Sequence, residues 1–284
     1  MFGGKFMKVG SLNLHLISDG AIKVDGGAIF GQIPKIKWQD LMRPDRHNRI
    51  RLGLNCLLIQ SDQSNILINT GIGGKNGDHS KEIYGTNTSR LVRNLRELGI
   101  GPKNISHVVL SDLRRRHAGG STKLNRRGEA VPTFPKAKYL IQQTAWDEAL
   151  NPDERDRDSY EPNDFLPLEK EGKVNFLSGD HEVIPGVWIR VSDGPAIGHQ
   201  IALVTHSGRR VAFLGDVIPT PYHLALPFIS ATDKFPHESL KFKKEILLML
   251  EKERWLILFS QGYENRAGYL NRRAGHLSLK PEKV

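Results

Sequence analysis

Within the stretch LSDLRRRHAGG, residues 110–120, stand one carboxylate, three guanidiniums and one imidazole: Asp112, Arg114, Arg115, Arg116 and His117. The apolar run Val108-Val109-Leu110 reads as a strand, so these groups lie on the loop at its end. A polar turn ending His-Ala-Gly-Gly there has the form of a metal-binding loop, yet fixed positive charge fills its middle. Without a metal, His117 could act as general base and Arg114 as electrophile for an oxyanion. The plainer role for His117 is to hydrogen-bond the loop. Guanidiniums also match a carboxylate, phosphate or sulfate, which makes a small anionic ligand the natural partner. Arg115 reads as a solvated surface charge, and Gly119 and Gly120 as a tight turn at a helix start.

The flanking sequence supplies strands and helices to hold such a loop. LNLHLIS alternates as a strand with one wet face should, and LNCLLIQ and NILINTG form a hairpin across SDQS. TSRLVRNLREL places Leu91, Leu95 and Leu98 on one helical face, with Gly99 ending it. AKYLIQ is a strand and QTAWDEAL a helix stopped by Asn151-Pro152. The polar, proline-interrupted segment 151–172 reads as a surface excursion. KVNFLS, HEVIPGVWIRVS and HQIALVTHSGRRVAFLGD follow as strands, the last a hairpin turning at Ser207-Gly208. PHESLKFKKEILLMLEKE is the longest helix, and RWLILFS the final strand. Strands with helices between and after them predict an α/β layered architecture in one domain spanning 1–284.

Composition excludes several classes. Apolar residues make up 38% of the chain, which fits a globular protein rather than a disordered one. The richest late stretch, ILLMLEKERWLILF, is broken by charges and cannot span a bilayer. The first residues hold no apolar run of signal-peptide length, so the expected location is cytoplasmic. The single cysteine, Cys56, excludes an intrachain disulfide and reads as a packed core thiol. A formal charge of +10 raises a polyanion or nucleic-acid partner as a reading, but the basic residues are interleaved with acids and form no block. No Gly-x-Ser-x-Gly elbow and no His-x-x-x-His pair occurs, and GIGGKNGD lacks the Lys-Ser/Thr of a phosphate loop.

Read together, SDLRRRHAGG resembles the Thr-His-x-His-x-Asp-His-x-Gly-Gly loop of the metallo-β-lactamase superfamily. ILINTGIG is similar to its Asp-Thr-Gly segment, VAFLGDVIPT to its Gly-Asp strand end, and VSDGPAIGHQIALV to its Gly-His-Thr-Pro-Gly-His segment. ILFSQGYENRAGYL resembles its closing strand, and SDGAIKVDGGAIFGQIPKIKW, AWDEALNPDERDRDSY and PYHLALPFIS look like a lactonase-like subgroup. The resemblance implies an αββα sandwich, two facing mixed sheets with outer helices, and one or two divalent metals, usually zinc, at one edge. It also implies where the ligands should stand. The loop histidines fall at Asp112, Arg114 and His117, and the loop aspartate at Arg116. The next histidine falls at Pro195, the bridging aspartate at Asp216 and the terminal histidine at Gln261, while the Asp-Thr-Gly aspartate is Asn69. Only His117 and Asp216 keep the family's ligand types.

The resemblance therefore implies a pocket built from Asp112, Arg114, Arg116, His117, Asp216 and Gln261, with His199 and His223 as structural histidines unless they line it. Arg116 is expected to pair with Asp216, and Arg114 with Asp112 or with the pocket. No metal cofactor is expected, and Asp112, His117 and Asp216 are the weak candidates for one. The main reading is a non-catalytic or altered homologue binding a small anion or a protein partner. The alternative is a lactone or ester hydrolase with a residual or atypical zinc or other divalent site.

Overall fold

Strand β3 (Arg49–Gln60) explains the architecture in miniature. Its Cys56 and Leu58 pack with residues of the outer helices, while Leu57 and Ile59 pack with residues of a second sheet. A strand covered on both faces must be apolar on both, and LNCLLI is. The computed structural model describes residues 6–75, 81–82, 84–85, 89–273 and 276–284. Its first sheet begins with β1 (Met7–Val9), β2 (Leu12–Asp25) and β3, continued by β4 (Asn65–Ile68) and β5 (His107–Val109). A small ribbon of β6 (Thr122–Leu124) and β7 (Ala130–Pro132) follows, then β8 (Lys138–Gln142) and β9 (Val174–Leu177) complete the sheet in the order β1-β2-β3-β4-β5-β8-β9. The second sheet runs in sequence order: β10 (His181–Ile184), β11 (Val187–Val191), β12 (Gln200–His206), β13 (Arg209–Phe213), β14 (Leu256–Leu258), β15 (Ala267–Arg273) and β16 (His276–Pro281).

The short helices α1 (Gly26–Phe30) and α2 (Lys35–Trp38) cover one end of β2 and β3. Helix α3 (Leu91–Glu97) and, beyond the short α4 (Arg115–Ala118), helices α5 (Gln143–Leu150) and α6 (Pro162–Lys170) line the outer face of the first sheet. Helix α7 (Pro236–Lys252) covers the outer face of the second through Ile246, Leu247 and Leu250. Helices, sheet, sheet and helix are therefore stacked as the αββα resemblance implies. The pairs β4–β5, β5–β8 and β13–β14 are parallel, so the loops leaving β4, β5, β13 and β14 emerge at strand carboxyl ends. Those loops carry the chemistry.

The expected hairpins, the core thiol and the long helix are all present. At Ser207 and Gly208 both φ angles are positive, 50° and 76°, which suits the twist of a two-residue hairpin turn. Four expectations need correction. His15 in β2 is buried, so that strand has no fully wet face. The segment 151–172 is not merely a surface excursion: it contains α6, whose Phe165 and Leu168 are buried in the core. RWLILFS is not the last strand, because β15 and β16 follow it. Gly119 and Gly120 are required for close approach: a Cβ on either would collide with the carbonyl of Ile72 or Thr70.

Candidate functional site

Asp112, Arg114, Arg116 and His117 all come from the loop after β5 and its short helix α4. Asp112 shapes that loop itself, its Oδ1 accepting the backbone N–H of Arg114 at 2.9 Å. Asp216 lies just beyond β13, and Gln261 just beyond β14. Arg114 forks onto Asp112 Oδ2 through Nε at 2.9 Å and Nη2 at 2.6 Å, and Nη2 also reaches Asp216 Oδ2 at 2.9 Å. Arg116 meets the same Asp216 oxygen through Nε at 3.0 Å and Nη2 at 2.5 Å. His117 Nε2 stands 3.0 Å from it, and Gln261 Nε2 donates to Asp216 Oδ1 at 2.5 Å. Arg116 thus pairs with Asp216 as expected, while Arg114 takes both carboxylates.

Two carboxylates face two guanidiniums, so the network is close to neutral without any added ion. Burial alone would raise the Asp216 carboxyl; Arg116, His117 and Arg114 around it hold it well below its ordinary value. Burial likewise opposes ionisation of Asp112, but Arg114 beside it brings the carboxyl down to about 2. Burial works against the Arg114 charge, yet Asp112 and Asp216 raise its pKa further. Asp112, Asp216 and Arg114 are all charged at neutral pH.

The histidines are fixed by their neighbours. Asn69, in a left-handed conformation with φ 62°, accepts the Ser111 N–H with Oδ1 at 2.8 Å. That orients its Nδ2 to donate to His117 Nδ1 at 3.0 Å. The His117 proton therefore sits on Nε2 and points at Asp216, which leaves the ring no free lone pair for base catalysis. His199 joins the network: its Nε2 accepts the Asp216 N–H at 3.1 Å, and Nδ1 faces Ser192 Oγ at 2.6 Å. Burial keeps it neutral, with a pKa pushed down to about 4. Ser192 sits in the quoted VSDGPAIGHQ segment, but nothing in its spacing marks it as the histidine's partner.

His223 does not join the others. It is held by Thr220 Oγ1 at 2.8 Å and the Ile29 carbonyl at 3.0 Å, and it stacks on Phe30. Its role is structural. Burial, aided by Lys243, pushes its pKa down to about 4, below the ordinary 6.5. The unfolded chain alone is then protonated as pH falls from about 6.5 to about 4, and the folded state loses on the order of 3 kcal/mol. Urea unfolding should find the stability difference between wild type and His223→Gln full above pH 6.5 and shrinking toward pH 4. A difference that ignores pH would contradict this.

The neighbouring elements lock the loop from outside. Arg115 is buried, not a solvated charge, and its Nη2 bonds Glu161 Oε2 at 2.9 Å. Lys75 forms a buried pair with Asp164 of α6 at 2.8 Å and also donates to the Thr122 carbonyl at 3.0 Å. Arg114 Nη1 lies 3.4 Å from the Thr232 carbonyl. Asp112, Arg114, His117, Asp216 and Gln261 are all buried, and only the Arg116 side chain stays appreciably accessible, at 20%. Glu161, Asp164 and Lys75 lie far from the loop in sequence, and no pattern in the sequence links them to it.

Among the described residues, two clusters have the spacing to hold a metal ion. One is Asp112, His117 and Asp216, whose donor atoms lie within 4.8 Å of one another; the other is Glu148, Asp153 and Asp156. Both already hold cations of this chain. The Lys234 ammonium lies 2.6, 2.7 and 3.2 Å from the second set. In the first, an ion bound to Asp216 Oδ2 at about 2.1 Å would lie within about 5 Å of the Arg114 and Arg116 nitrogens in any direction. At an effective dielectric of about 20, each guanidinium would then repel a dication by about 7 kcal/mol. Gln261 is a poor metal donor and already points its amide nitrogen at Asp216. As arranged, the donor set does not fit a divalent metal.

A family model, the metallo-beta-lactamase superfamily, matches residues 50–261, and the chain belongs to that superfamily. Its curated relatives include an N-acyl homoserine lactonase of Bacillus cereus, 24% identical over 238 residues that cover 78% of this chain and 86% of the relative. The N-acyl homoserine lactonase AiiA of Bacillus thuringiensis subsp. kurstaki is 24% identical over 231 residues, covering 76% and 83%. Among solved structures, a probable metal-dependent hydrolase from Staphylococcus aureus superimposes with a TM-score of 0.88 at 27% identity, covering 98% of this chain and all of that one. AidC, a dizinc quorum-quenching lactonase in complex with a product, gives 0.81 at 18% identity, covering 99% and 97%, and speaks for the fold alone. No helix among the described residues is long and apolar enough to cross a membrane.

Proposed function

We propose that this chain is a metal-independent relative within the superfamily, with Arg114 and Arg116 in the place of divalent ions, and that it binds a small anionic ligand instead of cleaving a bond. One observation carries the reading. Asp216 Oδ2, on the aspartate the family uses to bridge metals, accepts from Arg114 and Arg116 and faces the Nε2–H of His117. The guanidiniums cross-link the loops after β5 and β13 as a metal would, through directional, charge-assisted bonds. They cannot generate a hydroxide nucleophile, and the engaged His117 ring offers no base to replace it.

A second reading has its own support. The curated relatives are N-acyl homoserine lactonases, and Asp112, His117 and Asp216 still converge. Hydrolysis of a lactone or ester with an atypical metal would follow from that ancestry, and the comparisons lean toward it more than toward a silent site. The electrostatics lean the other way. Protein from zinc-supplemented medium, assayed on lactones and aryl esters, separates the two. The proposal expects no turnover above buffer and no bound metal; metal-dependent turnover would establish the second reading.

A further inference from the structure

The buried network has little left to offer a ligand, since its guanidiniums are taken up by its own carboxylates. Two other arginines are unspent. Beside the site a groove of about 430 Å³ opens between segment 40–43, Arg51 of β3 and the turns that follow Asp216 and Gln261. That volume falls in the range of small-molecule sites. Its connection to the site is direct: Thr220 and Gly262, buried residues of those two turns, border it. Gly53 N–H bonds the Gln261 carbonyl at 3.0 Å and Asn55 Nδ2 bonds the Gly262 carbonyl at 2.7 Å, which fastens that wall to β3.

Leu41, Met42, Tyr222 and Tyr263 give the groove apolar and aromatic surface. Arg43 and Arg51 bring two guanidiniums, and among the described residues neither forms an ion pair. The Arg51 guanidinium lies 4.2 Å over the Tyr263 ring, so it is held in place while its edge donors stay free. Asp40 and Glu264 also line the groove and balance the formal charge. A ligand with several negative charges would meet those acids. A single carboxylate on an apolar body would not need to.

We propose that this groove binds an amphiphilic monocarboxylate, its carboxylate taken by Arg51 and Arg43 and its apolar chain lying along Leu41, Met42 and Tyr222. The assignment rests on the reading of the chain as a binder of small anions, and it locates that binding outside the buried arginine loop. Isothermal titration of the full chain with octanoate tests it, with octylammonium as the charge-reversed probe and inorganic phosphate as the compact anion. Octanoate should bind, octylammonium should bind at least about tenfold more weakly, and Arg51→Gln should weaken octanoate by about tenfold. Arg51 is exposed, so the variant should melt like wild type. Equal octanoate binding by wild type and Arg51→Gln, or equal binding of octylammonium, would overturn the groove assignment. So would phosphate binding without octanoate binding, although the small-anion reading would then survive. Failure of both anions to bind would overturn the two together.

Discussion

Asp216→Ala should lower the unfolding free energy by about 3–5 kcal/mol, because it leaves two guanidiniums in a buried site with one carboxylate. For a chain of this size the melting temperature should fall on the order of 10 °C. The size of the effect follows from how many groups converge on that one side chain. Arg114 Nη2, Arg116 Nε and Nη2, His117 Nε2 and Gln261 Nε2 all face its two oxygens. Truncation leaves Arg114 Nη2 with Asp112 alone and removes the Asp216 acceptor from the others. Adding Arg116→Met to the variant should recover part of the loss, since a buried charge without a partner costs more than no charge. Thermal unfolding of the two single variants and the double gives a coupling of about 1 kcal/mol or more if the pairing holds. Unchanged melting in Asp216→Ala would remove the ion-pair account of the site.

Asp19→Ala should cost about as much, for a different reason. Asp19 lies where the β2–β3 register shifts between Ser18 and Gly20, a bulge that turns its side chain inward. Its carboxylate accepts from the backbone N–H groups of Ile72, Gly73, Arg90 and Leu91 and from Ser89 Oγ. It therefore fastens the loop after β4 and the start of α3 to one point. Burial raises the pKa of Asp19, and no ion pair of the described residues includes it, so hydrogen bonds and not a cation hold the group. Alanine would leave four donors without an acceptor, since only the Arg90 N–H keeps another, the Asp19 carbonyl at 3.1 Å, and each loss costs about 1 kcal/mol or more. Asp19→Asn keeps one acceptor oxygen and should lose markedly less in chemical denaturation. Equal loss in the two variants would mean that charge, not acceptor geometry, is what the bulge supplies.

Much of the architecture can be read from the sequence because local rules and burial agree there. LNCLLI, the Ser207-Gly208 turn and the long helix each show one pattern with one physical meaning. The arginine network was legible too, because Arg116 and Asp216 occupy positions where the superfamily pattern brings ligands together. Other features depend on contacts between distant segments. Arg115 looks like a surface charge until Glu161 is brought against it, and 151–172 looks like a loop until Phe165 and Leu168 find the core. β15 and β16 escape notice because AGYLNRR and HLSLKP are short and largely polar, with Leu270, Leu277 and Leu279 only partly buried against the core. His117 as a base was a reasonable expectation from residue type alone. Only Asn69, fixed by the Ser111 N–H, reveals that its lone pair is engaged.

On the proposed reading, this chain's own guanidiniums occupy the charge role of the family's metals. Metal content, measured by mass spectrometry on protein purified without chelator from zinc-supplemented medium, tests it most directly. Zinc, manganese and iron should stay well below one per chain, with no change in melting temperature on adding chelator. A stoichiometric metal that survives gel filtration, and whose removal lowers the melting temperature, would contradict it.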